Sequence, residues 1–171
     1  VDRREMRPKI AVSIAARTAC EASRKVKRAV RLGADLAEIR LDCLKRKEPF
    51  EKIMKTGEIP LIATFRSSRN GGFRSLEEHG RVDILVAAAK TGFDYVDVEL
   101  EMRNVDDLID QLHVAGAETI VSHHDFIRMP SDTELRRILR LCRSSGATLP
   151  KLITTARRLE DNLRLLAFTR K

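Results

Sequence analysis

Aromatic residues are scarce in this chain, and tryptophan is absent. Of its 171 residues only 4% are aromatic, whereas proteins that bind single-stranded nucleic acids depend on aromatic side chains that stack on bases. The net charge of +8 would suit a phosphate backbone, but the basic residues are spread over every predicted helix and form no recognition module. We interpret the charge as solvated helix faces and expect no nucleic-acid partner, although a small anionic substrate would suit the same field.

Long apolar runs and paired cysteines are also missing. No run approaches the roughly 18 residues of a membrane span, and no signal-peptide pattern opens the sequence. We therefore expect a cytoplasmic protein without a membrane partner. The three cysteines, Cys20, Cys43 and Cys142, have none of the spacings that mark metal knuckles or disulfide frameworks, and we interpret them as reduced and structural.

A regular alternation of strand and helix patterns runs through the chain. Apolar runs rich in β-branched residues predict six strands, at 9–14, 36–42, 60–66, 95–101, 118–125 and 149–156. Each is followed by a predicted helix, at 18–33, 50–56, 75–92, 104–116, 131–145 and 159–170. Capping boxes that begin at Thr18, Ser75 and Ser131, and a cap at Asn104, mark helix starts. Such alternation predicts a parallel sheet covered by helices.

Two folds fit this alternation, a doubly wound open sheet and a (β/α)8 barrel, and the polar residues on the strands distinguish them. Charged residues fall at every second position of two strands and therefore share one face of each. They are Glu38, Arg40 and Asp42 in one strand and Asp97, Glu99 and Glu101 in the other. Both faces of an open parallel sheet meet apolar helices, whereas the upper interior of a barrel opens into its active site. The pattern favours the barrel. The alternative is a strand at the edge of the sheet with one face exposed to solvent.

Titratable residues also stand on three other strands. Arg66 ends the third, His124 nearly ends the fifth, and Lys151 lies in the sixth. The carboxyl ends of barrel strands carry active sites. A buried lysine loses hydration, which should lower its pKa and make the neutral amine a nucleophile for carbonyl carbon; the alternative is a solvated lysine at a strand start. A metal site at His123, His124 and Asp125 is not expected, because neighbouring strand residues point to opposite faces.

Six short motifs follow one another along nearly the whole chain. They are Pro8-Lys9-Ile10-Ala11-Val12-Ser13, Glu38-Ile39-Arg40-Leu41-Asp42, Thr64-Phe65-Arg66-Ser67 with Gly71-Gly72, Asp97-Val98-Glu99-Leu100, Ser122-His123-His124-Asp125-Phe126 with Pro130, and Leu149-Pro150-Lys151-Leu152. Any one of them is weak evidence alone. Together and in this order, they resemble the type I 3-dehydroquinate dehydratases, enzymes that form a Schiff base with their substrate.

The resemblance implies a (β/α)8 barrel that dehydrates 3-dehydroquinate to 3-dehydroshikimate, in the shikimate pathway to chorismate and aromatic amino acids, with no metal or added cofactor. Lys151 matches the lysine that forms the imine, and His124 matches the general acid and base. The positions that match substrate-binding residues are Ser13, Glu38, Arg40 and Arg66, and those that match acidic interior residues are Asp97 and Glu99. A homodimer is the expected assembly.

The sequence departs from the family at two points. The family usually carries an acidic residue before the paired glycines, where it can orient the catalytic histidine. That position is Asn70 here, whose carbonyl can accept a hydrogen bond but carries no charge, and Glu77 or Glu78 could substitute for it. The chain also stops at Lys171, so we expect residues 1–171 to form one incomplete barrel domain of about six βα units out of eight.

In the family, the last two units bring an arginine and a glutamine that bind the substrate carboxylate. The chain is therefore expected to keep the imine-forming residues but to have little or no turnover. Two alternative functions remain open. One is another imine-forming barrel enzyme of the class I aldolase type, which would share Lys151 but need different hydroxyl-binding residues. The other is an inactive truncated barrel with a binding role.

Overall fold

The computed structural model describes residues 8–45, 48–55 and 58–169, and strands alternate with helices throughout, as predicted. The strands are β1 Ala11–Ile14, β2 Leu36–Arg40, β3 Leu61–Thr64, β4 Tyr95–Glu99, β5 Glu118–Asp125 and β6 Leu149–Thr154. The α-helices are α1 Ala19–Arg31, α2 Glu51–Met54, α3 Glu78–Thr91, α4 Val105–Val114, α5 Asp132–Ser144 and α6 Leu159–Thr169. Short 3-10 turns at Leu41–Cys43 and Ser68–Asn70 follow β2 and β3. The predicted helix ends at 56 and 170 lie outside the described residues.

The order of the strands distinguishes the two candidate folds. Every neighbouring pair is parallel, and the sheet runs β1-β2-β3-β4-β5-β6. A doubly wound sheet would reverse its strand order at a switch point, so the prediction of a barrel-type sheet is confirmed.

The sheet is strongly curled. Strands β2 and β6 are four strand spacings apart, which would be about 19 Å in a flat sheet. Yet Lys151 Nζ on β6 lies 2.9 Å from Glu38 Oε1 on β2. The sheet therefore wraps around an interior, and the side chains that point inward from distant strands meet there.

The two faces of the sheet differ in chemistry. Residues that point towards the helices, such as Ile39, Val96, Val98 and Val121, are fully buried and pack in two hydrophobic clusters with helix residues. This packing fixes the register of the strands, because a slip of one residue would turn the charged face towards the helices. Within the described ranges, no helix combines the length and the apolar composition of a membrane span.

The predicted caps are only partly confirmed. Thr18 and Ser131 cap α1 and α5, each accepting a hydrogen bond from the backbone N–H three residues later. The cap predicted at Ser75 is wrong, since α3 starts after Glu77 without a side-chain cap. The carboxylate of Glu78, which the predicted box required, instead accepts a hydrogen bond from the Arg103 N–H. Asn104 precedes α4 as predicted but adopts a left-handed conformation, φ 49°, and makes no capping hydrogen bond.

Candidate active site

Lys151 lies in the curled interior between two carboxylates. Its Nζ donates hydrogen bonds to Glu38 Oε1 on β2 at 2.9 Å and to Asp97 Oδ2 on β4 at 3.0 Å. The Asp97 side chain is wholly buried, while that of Lys151 is 29% exposed. The amine is therefore held by one buried and one partly exposed acid and remains accessible to a small molecule.

These acids correct the predicted pKa of Lys151. Burial disfavours the charged amine, as expected, but the attraction of Asp97 and Glu38 outweighs burial and raises the pKa of Lys151 above its usual value. The expectation of a neutral resting amine is therefore wrong. It rested on burial alone, whereas two negatively charged carboxylates lie next to the amine. Burial also opposes the ionised forms of Glu38 and Asp97. The positive charge of Lys151 outweighs this effect at Glu38, and the charges of Arg66 and Lys151 outweigh it at Asp97. The pKa of each carboxyl therefore lies below its usual value.

Arg66 joins the same cluster from the end of β3. Its side chain is buried, with Nη2 2.9 Å from Asp97 Oδ2 and Nη1 3.4 Å from Glu99 Oε1. Nη1 also donates to Ser122 Oγ at 2.8 Å, and the Ser122 hydroxyl donates to Asp97 Oδ1 at 2.6 Å. Both oxygens of Asp97 are therefore occupied, and a fully buried serine hydroxyl links the arginine to the aspartate.

A second buried arginine balances the charge of the cluster. Arg81 reaches in from α3, with Nη1 2.7 Å from Glu99 Oε2. Burial opposes the ionised form of Glu99, but hydrogen bonds from the Ser67 N–H and from Arg81 lower its pKa. The groups that meet in the interior are three cations, Lys151, Arg66 and Arg81, and three anions, Glu38, Asp97 and Glu99. The more exposed Glu78 also pairs with Arg81, at the rim. Because each interior charge has a partner of opposite sign, removing one member leaves a largely buried charge without its partner.

His124 lies on the same face of β5 as Ser122, two residues further along. Burial and the nearby charge of Arg66 lower the pKa of His124 to about 4, and the charge of Lys151 adds to this effect. The imidazole is therefore uncharged at neutral pH and can accept a proton, as a general base must. Ser122 pairs in register with Lys151 on β6, so His124 and Lys151 lie on neighbouring strands; that the two side chains share one pocket stays a prediction.

The ring of His124 is held by packing more than by hydrogen bonding. It stacks on Phe126, with the centroids 5.7 Å apart and the planes at 25°. Its Nδ1 is buried and has no hydrogen-bond partner among the described residues. The support predicted from Asn70 is therefore not observed, and Asn70 instead ends the 3-10 turn after β3. Glu78, considered as a substitute, pairs with Arg81.

Ser13 and Arg40, the other predicted substrate-binding residues, both lie beside the interior. Ser13 pairs in register with Glu38 and hydrogen-bonds its carboxylate. The guanidinium of Arg40 forms a bidentate pair with Asp42, at 2.8 Å and 2.7 Å. The predicted strand continued to residue 42, but β2 ends at Arg40 and Asp42 lies in the 3-10 turn, where it bonds back to the arginine.

Sequence reasoning missed three polar members of this interior. Ser122 and Thr64, which donates to Glu38 Oε1 at 2.9 Å, each lie two residues before a predicted site residue, so strand alternation could have found them. Arg81 gave no such signal, because a single arginine in a helix is ordinarily solvated.

Comparison with known proteins gives consistent results. A family model described as type I 3-dehydroquinase matches residues 10–171. A 3-dehydroquinate dehydratase from Syntrophotalea carbinolica is 37% identical over an alignment that covers 95% of this chain and 68% of the relative. One from Methanothermobacter thermautotrophicus is 34% identical and is covered over 72% of its length.

The fold is similar to solved structures with the same name. The structure of 3-dehydroquinate dehydratase from Enterococcus faecalis superposes with a TM-score of 0.84 at 29% sequence identity. The match covers 95% of this chain and 72% of that one. The similarity therefore extends over sequence and fold together, and over nearly all of the present chain.

Proposed function

Since this chain belongs to the type I 3-dehydroquinase family, we propose that it removes water from 3-dehydroquinate through an imine at Lys151, giving 3-dehydroshikimate. The observation that carries the proposal is the placement of Lys151 between Glu38 and Asp97, within electrostatic reach of a neutral His124. A nucleophilic amine and a neutral base in one polar interior are what this reaction requires.

In the first step, the Lys151 amine adds to the substrate ketone and water leaves. The resting ammonium must first lose a proton, and Glu38 Oε1, at 2.9 Å, is the nearer carboxylate oxygen. Loss of water from the adduct gives a protonated imine, which again carries a positive charge at Nζ. The two acids that raise the pKa of Lys151 would therefore also stabilise the cationic imine, whose charge makes the neighbouring carbon acidic.

In the second step, His124 takes a proton from the carbon next to the imine. The electrons of that C–H bond form a double bond to the imine carbon, and the π electrons of the C=N bond move onto the nitrogen, which gives a neutral enamine. The protonated imidazole then gives its proton to the departing hydroxyl, and the electrons return to expel it as water. Hydrolysis of the remaining imine releases the product and restores Lys151. Because the pKa of His124 is only about 4, its protonated form is a strong acid and returns its proton readily.

The ring hydroxyls of the substrate are proposed to bind to four residues, Ser13, Glu38, Arg40 and Arg66. Arg40 is the more accessible of the two arginines, with 23% of its side chain exposed against 5% for Arg66. We therefore assign direct contact with a hydroxyl chiefly to Arg40 and Ser13. Arg66 acts mainly by holding Asp97 and Glu99 in place.

Borohydride trapping tests the imine directly. Incubation with 3-dehydroquinate and sodium borohydride should reduce the imine to a stable amine, adding the mass of the reduced adduct to one tryptic peptide that contains Lys151. Lys151→Ala should abolish the label, while Lys25→Ala, which removes a lysine paired with Glu21 on α1, should retain it. Labelling elsewhere, or none in the unaltered chain, would refute the mechanism.

The same experiment distinguishes the aldolase alternative. An imine-forming aldolase would be labelled at Lys151 by its own aldehyde or ketone substrates and not preferentially by 3-dehydroquinate. Competition between 3-dehydroquinate and dihydroxyacetone phosphate for the label would show which ketone the interior accepts. Preference for the sugar phosphate would favour the alternative.

We also propose that two copies of the chain associate. The support is an apolar stripe on α6, where Leu159, Leu163 and Leu166 are 72%, 59% and 62% exposed, since large exposed apolar patches mark interaction sites. Sedimentation equilibrium should give twice the mass of the chain. A monomer across the micromolar range would contradict the proposal.

A further inference from the structure

The carboxylate of Asp42 has an unusual set of partners for a residue outside the charge cluster. It is fully buried, in the 3-10 turn that follows β2. One oxygen accepts from Arg40 Nε at 2.8 Å and from the Arg66 N–H at 3.4 Å. The other accepts from Arg40 Nη2 at 2.7 Å and from the Phe73 N–H at 2.8 Å. Burial opposes its charge, but the hydrogen bonds from Arg40 and Phe73 outweigh burial and lower the pKa of Asp42.

These bonds connect three elements at the carboxyl end of the sheet. Arg40 ends β2, Arg66 follows β3, and Phe73 lies in the loop between β3 and α3. Arg40 Nη2 also donates to the Gly71 carbonyl at 3.3 Å. The aspartate and the arginine therefore hold this loop at two points, residues 71 and 73.

The loop that they hold reaches the histidine. A Cβ placed on Gly71 would lie 3.9 Å from Phe126 Cζ, so the loop passes directly beside that ring. Phe126 in turn stacks on His124. A displacement of the loop would therefore open space beside the ring that packs against the base. The same displacement would release the guanidinium of Arg40.

We propose that Asp42 is a positioning residue for substrate binding: it holds the guanidinium of Arg40 and the β3–α3 loop in the arrangement that receives the ring hydroxyls. This inference rests on the proposed function. It assigns Asp42 a role through Arg40 and the loop, with no contact to the reacting atoms. The affinity for substrate, and not the chemistry at Lys151, should therefore depend on it.

A simple loop anchor is the competing explanation, and the chain supplies a matched control for it. Asp94 also uses a carboxylate oxygen to accept a backbone hydrogen bond, from the Leu61 N–H at 2.8 Å. It does so where β3 and β4 begin, at the opposite end of the sheet from Arg66 and His124. Asp94→Asn thus disturbs a strand connection by the same chemical change without reaching the site.

The experiment measures borohydride labelling of Lys151 as a function of 3-dehydroquinate concentration, using the whole chain and its Asp42→Asn and Asp94→Asn variants. Asp42→Asn should raise the half-saturating concentration by about tenfold or more, as expected for loss of a charge-assisted hydrogen bond. The plateau of labelling should remain, because Lys151 and His124 are unaltered. Asp94→Asn should leave the half-saturating concentration within about twofold of the unaltered chain.

A merely structural role would give a different pattern. Loss of folded protein lowers the plateau in proportion and leaves the half-saturating concentration unchanged, and that result for Asp42→Asn would overturn the inference. If Asp42→Asn does not fold, as judged by circular dichroism, Arg40→Lys replaces it. This variant keeps the positive charge but loses the bidentate pair with Asp42. It should show the same rise in the half-saturating concentration. An unchanged half-saturating concentration in Arg40→Lys would then overturn it. If the unaltered chain is not labelled, the proposed function fails, and this inference fails with it.

Discussion

Lys151 Nζ donates a hydrogen bond to Asp97 Oδ2 at 3.0 Å, across the interior from β6 to β4. The same oxygen lies 2.9 Å from Arg66 Nη2, so one carboxylate oxygen faces two cations. Asp97 is 2% exposed, and water cannot replace it. The stability of the interior therefore depends on Asp97, and the charge state of the nucleophile depends on Asp97 together with Glu38.

Replacing Asp97 with asparagine should destabilise the fold. Arg66 and Lys151 would keep their charges in a buried site that has lost one of its anions, a change that typically costs about 3–5 kcal/mol. Urea denaturation followed by circular dichroism measures it. Asp107→Asn, at an exposed position of α4, is the control and should change the free energy of unfolding by less than about 0.5 kcal/mol. Equal effects of the two substitutions would show that the buried pairs do not stabilise the chain.

The raised pKa of Lys151 makes imine formation depend on pH. Only the neutral amine attacks a ketone, and its fraction grows as the pH rises towards the raised pKa. The initial rate of borohydride labelling at fixed 3-dehydroquinate should increase by up to about tenfold per pH unit between about pH 6 and 9. A rate that levels off near neutrality would mean that the amine is already neutral there, and that Glu38 and Asp97 do not hold its proton.

Ser122→Ala tests the bridge between Arg66 and Asp97. The substitution removes a hydroxyl that accepts from Arg66 at 2.8 Å and donates to Asp97 at 2.6 Å, and leaves both charged partners one bond short. The expected loss of unfolding free energy is about 1–3 kcal/mol. Ser144→Ala removes an exposed hydroxyl that donates to the Leu141 carbonyl and should cost less. The same urea titration compares them, and equal small losses would contradict the bridging role.

Gly72→Ala tests how closely the β3–α3 loop lies against its strand. A Cβ at Gly72 would lie 2.0 Å from the Arg66 carbonyl oxygen, a backbone clash that only movement of the loop can relieve. In this variant, low concentrations of 3-dehydroquinate should no longer label Lys151. Gly116→Ala also introduces strain, at φ +90°, but in the turn before β5, and should cost about 1 kcal/mol of stability without changing labelling. Unchanged labelling in Gly72→Ala would show that the loop does not contribute to binding.

Strand alternation largely predicted which charged residues point into the interior. Glu38, Asp97 and Glu99 were placed on inward faces because their spacing matches the two-residue repeat of a strand, and the structure joins them in one cluster. The bounds of β5 were also correct, at Glu118–Asp125. Periodicity is a local property, and it is sufficient where the backbone stays regular.

The pKa of Lys151 and the partner of Arg40 could not be predicted in this way. The direction in which the pKa of Lys151 shifts depends on Asp97 and Glu38, which are 54 and 113 residues away in the chain. These acids come close to the lysine only when the sheet has curled. Asp42 was assigned to β2, but the backbone turns after Arg40, and this turn brings its carboxylate back to the guanidinium. Long-range electrostatics and the ends of strands both require the folded geometry.

The lowered pKa of His124 makes the stability of the fold depend on pH. The unfolded chain binds a proton at this residue below its usual pKa of 6.5, whereas the folded chain does so only near 4. Between these values the unfolded state binds more protons, so the free energy of unfolding falls as the pH is lowered. From pH 7 to pH 5 the contribution of His124 should be about 1 kcal/mol, allowing for the partial exposure of the ring. Urea titrations at both pH values on the unaltered chain and on His124→Gln isolate it, because the variant should lose that much less stability on acidification. If both chains respond equally to pH, the imidazole is not held neutral beside Arg66 and cannot serve as the resting base.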